Sequence, residues 1–585
     1  MTAPDTVADV LAARLKAHGV DLFFGQSLPS RLVLAAEDAG IRQIVYRTEN
    51  AGGAMADGYA RLRRTCGFVV AQNGPAATLL VAPLTEALHA SIPIVALVQE
   101  VPSTSRGRNA FQEIDHRALF SGCSTWFGVL DDGDRAEEAL DAAIRSATTG
   151  RPGPAVLMLP KDVLERPGTA GRAAPVTAAH SPRDRPRPDA DAIARAWDAL
   201  RTAERPLIVA GGGVVSADAS AALVAFSSET GIAVATTPMG KGAIPDDDPL
   251  ALGVIGNYMG PHSMTHRIRD WIGTADVVLL AGSRTNENGT DSWTLLPHDA
   301  AYLHLDIDPF EVGRNYPAHT RLIGDVRAGL TDLLAHARAQ GSGIDPTVRD
   351  EAVRTVAANR SDFIGTVRRY AADDAVPLRP ETIVTTIDAL SPADAVFAAD
   401  ASYSSIWIGT FVSMPDTDRR TVLPRGIAGL GWGLPLALGA KAADPARTVV
   451  CLTGDGGFAH CWSELETAVR EELPVIVVVL NNAELGYQKH AEIVQFGRAT
   501  SAVVLGAVDH AAIARACGAR GSTVRTRAAF VDAFTAALSS PVPVVIDVIT
   551  DPDAYPPITG WDTSTALRTA LSAPRTQPDE PEYPS

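Results

Sequence analysis

The apolar run RTVVCLT ends at Gly454-Asp455-Gly456-Gly457, and 27 residues beyond Asp455 the run PVIVVVL ends at Asn481-Asn482. A carboxylate and an amide oxygen are hard donors of the kind Mg²⁺ takes. Glycines let backbone N–H groups approach a diphosphate at a helix start, where the helix dipole also favours negative charge. Alone, GDGG is equally a tight strand-to-helix turn, and NN a strand cap. The spacing favours a shared site. It suits one strand end, one crossover helix (Phe458 to about Glu471) and a second strand, and a right-handed crossover brings such strand ends side by side. Asp455 and Asn482 then share a site with Gly454, Gly456 and Gly457 as a diphosphate cradle.

A second group lies far upstream. The run IRQIVYR leads into Thr48-Glu49-Asn50 and then a small-residue stretch, AGGAMADGYARLRR. On position alone Glu49 is an acid in a helix's first turn, which the dipole favours. The GxGxG within Gly429–Gly433 lacks the full spacing of a dinucleotide fingerprint and carries little weight. No HExxH occurs, and the thirteen histidines form no ligand spacing. His116, just after Phe111-Gln112-Glu113, reads as a packed structural histidine.

What must position these residues is visible in the rhythm of the chain. Short β-branched runs (IRQIVY, GFVVAQ, IPIVALV, PLIVAG, DVVLLAG, RTVVCLTG, PVIVVVLNN) alternate with Ala-rich amphipathic stretches. Continuous apolar strands separated by helices predict doubly wound parallel sheets, with ligands beyond the carboxyl ends of the strands. A proline-rich stretch from Gly168 to Asp189 predicts a linker, and further polar breaks fall near 340–346 and 377–380. The 585 residues suggest about four domains by length; the breaks instead give three α/β domains, at 1–170, 190–340 and 372–560, with a tail at 561–585.

Composition excludes several classes. Hydrophobic residues make up 46% and charged residues 20%, which rules out wholesale disorder. A net charge of −17 argues against nucleic-acid partners and anionic membranes. Five cysteines without a CxxC pair exclude a disulfide scaffold and fit a reducing compartment. No apolar run approaches a membrane span, and the N-terminal stretch, broken by acids, lacks a signal-peptide core. The expectation is a cytoplasmic enzyme or assembly subunit.

From about Thr6 to about Trp561 the chain resembles the thiamine diphosphate (ThDP) enzymes, whose signature is GDG, a helix, a strand and NN. Within them it looks most like the acetolactate synthase branch. The resemblance implies Mg²⁺ held by Asp455, Asn482 and the backbone carbonyl of Glu484, with Tyr403, Ser404, Gly486 and Tyr487 also beside the cofactor. RTENAGGAMADGYAR resembles the segment whose glutamate contacts the ThDP aminopyrimidine ring, which makes Glu49 the catalytic carboxylate. A carboxyl group there favours the imino tautomer, which takes the thiazolium C2 proton, and the cofactor serves as electron sink. In IAGLGWGLP, Leu430 falls where the family wedges an apolar side chain between the two rings. In the second block, Gly211-Gly212-Gly213, Arg284, Asp306 and Asp325 resemble segments that bind FAD in a structural role; related domains hold ADP or nothing, and the sequence leaves all three open.

The departures cluster at the acceptor side. Gln26-Ser27 stand in an altered loop after the first strand, Ser124-Thr125 replace an entrance Thr-Lys, Tyr403-Ser404 replace Gln-His, and Ala491 beside His490 replaces a selective tryptophan. Asn288 replaces an arginine that faces the substrate, removing a two-pronged carboxylate partner. Phe111 and Gln112 keep the family's channel segment. The expectation is a ThDP- and Mg²⁺-dependent carboligase that decarboxylates a 2-keto acid, pyruvate foremost, and joins it to a different carbonyl acceptor. The alternatives are a simple decarboxylase or C–C lyase on the same cofactor, and a non-catalytic regulatory subunit. The last predicts loss of Glu49, Asp455 or Asn482, and all three are present. The resemblance further implies a homodimer or homotetramer with active sites shared between chains.

Overall fold

The structure, a computed structural model, describes residues 5–169, 179–182, 184–341, 343–416 and 418–572. Much of the expected linker and residues 573–585 lie outside these. Among the described residues are three six-stranded sheets, parallel throughout and flanked by helices. All seven apolar runs form strands. Six of these strands are buried on both faces, as in Ile476–Asn481, which explains why they do not alternate with polar residues; Arg42–Val45, at a sheet edge, is only partly buried.

The first sheet runs, in order, Arg42–Val45, Leu22–Gly25, Gly67–Ala71, Ile94–Glu100, Pro154–Pro160, Trp126–Val129. The third repeats that connectivity: Arg420–Val422, Val396–Ala399, Val449–Gly454, Ile476–Asn481, Val544–Ile549, Arg520–Val524. The middle sheet differs. Its first strand, Pro206–Ala210, lies beside Val277–Ala281 at the centre, and the order reverses there. Each sheet thus has a switch point where the strand order changes direction and leaves a crevice at the strand ends.

Helix Glu49–Arg63 starts at Thr48, whose hydroxyl accepts the Ala51 N–H at 3.3 Å, and ends at Arg64 in a left-handed cap. Its small residues have a packing role. The helix crosses Gly433–Ala443 of the third domain so closely that a Cβ at Gly58 would overlap the Leu436 carbonyl, and one at Gly439 the Met55 carbonyl. One hydrophobic core therefore runs through both domains, from Ile44 and Met55 to Leu436 and Val477.

Between the breaks near 340–346 and 377–380 lies a 26-residue helix, Pro346–Ala371. The tail expected from residue 561 starts later, because Trp561 is buried and helix Thr565–Ser572 seats Leu567 in the third domain's core.

Candidate active site

The strand ends at the third sheet's switch point open into a cavity of about 430 Å³ that includes Asp400, Tyr403, Leu430, Asp455, Asn482 and Glu484 in its walls. Strands Val449–Gly454 and Ile476–Asn481 pair directly, so the 27-residue spacing does bring Asp455 and Asn482 into one site. The crossover is broken rather than continuous: a turn of helix at Asp455–Phe458 precedes Glu464–Arg470.

Asp455 is buried and accepts the Gly456 N–H at 2.9 Å and the Ala483 N–H at 2.7 Å. Burial pushes its carboxyl up to about 6 against the pull of those amides, and the nearby Asp547 carboxylate pushes the same way. Such a carboxylate lacks positive charge, which a divalent cation would supply. The Asn482 amide oxygen accepts the Glu484 N–H at 3.1 Å. The Glu484 carboxylate is tied to Lys489 at 2.6 Å, so the carbonyl is what this residue can offer a metal. Gly457 is required: a Cβ there would overlap the Asp400 carboxylate. The donor set and cradle fit a metal–diphosphate group.

Asp400 in turn accepts the Gly431 N–H at 3.0 Å and the Trp432 N–H at 3.3 Å. From the other side Glu86, on helix Val81–Ala90 of the first domain, accepts the N–H groups of Gly426, Ile427 and Ala428 at 2.7, 2.6 and 3.1 Å. Two buried carboxylates from two domains thus clamp the loop, while Ile427 and Leu430 project 45% and 39% exposed. Leu430 lines the cavity. Glu86 was not legible in the sequence, because its partners lie about 340 residues away.

Tyr403 and Ser404 open helix Tyr403–Phe411 at the cavity edge. Ser402 before them adopts φ 68°, ψ −140°, a region that side chains disfavour. Ser402→Gly is expected to raise unfolding stability by ~1 kcal/mol, measured by urea denaturation.

Glu49 is half-buried and does not line this cavity. Its neighbours are fixed: Arg47 and Thr48 give their N–H groups to the buried Glu464 of the third domain, and Trp432 donates to Asn50 at 3.0 Å. Gln26, Ser27, Phe111 and Gln112 also lie outside it. Gln26 bonds the Tyr46 and Arg47 carbonyls, Gln112 bonds Gln72, and Phe111 stands 86% exposed. His116 is buried between Glu100 and the Gly74 N–H, the structural role expected of it.

Three family models match the chain: the thiamine pyrophosphate enzyme N-terminal TPP binding domain over residues 5–119, its central domain over 193–333 and its C-terminal TPP binding domain over 400–548. An acetolactate synthase of Arthrospira platensis is 30% identical, over 96% of this chain and 97% of its own. The chain belongs to the thiamine pyrophosphate enzymes, on their acetolactate synthase-like branch. Isozyme 3 large subunit of the Escherichia coli (strain K12) acetolactate synthase is likewise 30% identical, over 87% of this chain and 88% of its own. An acetolactate synthase of Mycobacterium bovis is 29% identical over 94% and 88%.

Within this thiamine pyrophosphate enzyme, His490 and Ala491 lie behind the cavity wall. Ala491 packs on the core, and His490, fully buried, holds the Tyr403 hydroxyl at 2.8 Å. Burial holds its imidazole down at about 4. The unfolded chain takes up that proton near 6.5, so the stability tied to neutral His490 is complete above 6.5 and is lost as pH falls toward 4. The stability gap between the wild type and His490→Gln, from urea melts, is therefore expected to narrow by about 2 kcal/mol from near pH 7 to near pH 5.

The central domain places Gly211, Gly212, Gly213, Arg284 and Asp306 around its own switch-point crevice. Two of the three glycine amides are engaged within the fold. The Gly211 N–H goes to the Ala281 carbonyl and the Gly213 N–H to the Gly282 carbonyl, and the two turns press backbone on backbone. Arg284 bonds the His89 carbonyl of the first domain. Asp325 lies apart from this crevice: it caps helix Val326–Gln340 and pairs with Arg185. Among the described residues no helix is long and apolar enough to cross a membrane.

Proposed function

We propose that the chain is a ThDP- and Mg²⁺-dependent carboligase that decarboxylates a 2-keto acid, pyruvate foremost, and joins it to a carbonyl acceptor. The observation that carries this reading is the convergence of Asp455, Asn482, Glu484, the glycine turn and Leu430 on one cavity. ThDP, when bound, supplies the electron sink that lets a 2-keto acid lose carbon dioxide and its carbonyl carbon act as a nucleophile. Asp455, Asn482 and the Glu484 carbonyl would hold Mg²⁺, and the N–H groups at the start of Tyr403–Phe411 would face the diphosphate. Leu430 would separate the two rings and exclude water, and Glu49 would hold a proton at the pyrimidine nitrogen.

Glu49, Gln112 and Phe111 lie outside the cavity of their own chain, which supports a site completed by a second copy, in a homodimer or homotetramer. The exposed apolar tips of Phe111, Ile427 and Leu430 fit coverage by that copy and the cofactor. With the Gly211 and Gly213 amides spent, a flavin in the central crevice would rest on Arg284 and Asp306; the visible spectrum of purified protein reports whether one is carried. Mass spectrometry of products from pyruvate with a panel of aldehydes and ketones tests the main reading. Carbon dioxide release that never depends on acceptor would replace it with a decarboxylase or lyase.

A further inference from the structure

The sequence puts Asn288 where a substrate-facing arginine is expected, but the folded chain brings another guanidinium to the same wall. Arg425 lines the cavity beside Asn288, Asn257, Leu430 and Trp407. It comes from the clamped loop rather than from the central domain. Glu86 fixes the three amides that follow it, so its backbone is held from the first domain. Its guanidinium stacks 5.6 Å from the Tyr258 ring centroid and donates one N–H, from Nη1, to the Ser405 hydroxyl at 3.1 Å. Its buried Nε–H has no hydrogen-bond partner, and among the described residues it makes no ion pair with a carboxylate. The chain balances its buried arginines elsewhere, as Arg61 with Asp57 and Arg419 with Asp388. Close by, the Asn257 N–H donates to the Asn288 carbonyl at 2.9 Å, which holds the two loops together at this wall.

A half-buried guanidinium that lines a cavity, gives one N–H to a hydroxyl and has no carboxylate partner can take the carboxylate of a ligand. A partly desolvated cation without a counter-charge is costly unless an anion completes it. We propose that Arg425, with Asn288 beside it, is the recognition site for the carboxylate of an anionic carbonyl acceptor. The acceptor pocket is therefore relocated rather than emptied of positive charge, and the acceptor class it favours is a keto or aldehydo acid rather than a neutral aldehyde. This rests on the carboligase reading above.

The test compares wild-type holoenzyme, loaded with ThDP and Mg²⁺, with Arg425→Gln and Arg425→Lys. With pyruvate as donor, product formation is followed for a 2-keto acid acceptor and for the neutral aldehyde of matching chain length. The ratio of kcat/KM for the anionic over the neutral acceptor is expected to fall roughly 10- to 100-fold in Arg425→Gln, with Arg425→Lys between. An unchanged ratio overturns the proposal. So does an equal loss of ThDP affinity, which would assign Arg425 to the cofactor's diphosphate. Binding of oxamate, an unreactive 2-keto acid isostere, is read in parallel by tryptophan fluorescence, since Trp407 lines the cavity. Oxamate should bind the wild type and bind Arg425→Gln at least about 10-fold more weakly, while the uncharged ethyl oxamate does not distinguish them. If no carboligation occurs but oxamate binding depends on Arg425, the carboligase reading fails and the carboxylate site stands. If oxamate binds both proteins alike, the site fails.

Discussion

Glu49→Gln is expected to slow carbon dioxide release from pyruvate by about 10²- to 10⁴-fold, the range a positioned acid–base group contributes. Glutamine keeps the size and hydrogen-bonding reach of the side chain but cannot hold or pass the proton. The fold should survive, because the helix start does not depend on residue 49. Thr48 caps it, Glu464 holds the Arg47 and Thr48 amides, and Trp432 holds Asn50. Loss of one acid from a helix's first turn costs only ~0.3–1 kcal/mol. Turnover by carbon dioxide release from pyruvate with a carbonyl acceptor present, and ThDP affinity by equilibrium dialysis, separate the roles. Unchanged turnover would defeat the mechanism, and loss of ThDP affinity alone would make Glu49 a binding group.

Asp455→Ala is expected to abolish retention of Mg²⁺ and ThDP at concentrations that saturate the wild type. One ligand carboxylate disappears, and the Gly456 and Ala483 amides lose the acceptor that shapes the turn. Disturbing a metal site's supporting contacts alone costs about 10- to 100-fold in affinity, so losing the ligand should cost at least ~100-fold. A ligand at 100 times its Kd stabilises the native state by ≈ 2.7 kcal/mol. Thermal unfolding with and without Mg²⁺ and ThDP should therefore show a clear rise for the wild type and none for the variant. Glu484→Ala serves as control, since it keeps the carbonyl; if it loses the cofactor equally, the carbonyl ligand is misassigned.

Much of this was legible in the sequence, for a physical reason. Strands buried on both faces must be continuous apolar runs, so six of the seven stood out as such, and the Asp455–Asn482 spacing is dictated by a local crossover. What stayed hidden depends on distant contacts. Glu86 reads as one helix glutamate among many until the fold lays it under the amides of residues 426–428. Arg425 reads as a loop arginine until the cavity closes round it. At 211–213 the sequence shows the glycines' freedom, but not that the Gly211 and Gly213 N–H groups go to the Ala281 and Gly282 carbonyls. His490 looked available beside Ala491, yet helix Gly486–Phe496 turns it into the core.

The close crossing of Glu49–Arg63 over Gly433–Ala443 bears on the chain's ancestry. Each helix follows the corresponding edge strand of its sheet, Arg42–Val45 in one and Arg420–Val422 in the other, and the two sheets share one connectivity. Counterparts that meet each other reciprocally, Gly58 on Leu436 and Gly439 on Met55, have the self-complementary contact of a twofold pair. The first and third domains read as two related copies of one α/β unit, packed as a pseudo-twofold pair with the central domain set between them in the chain.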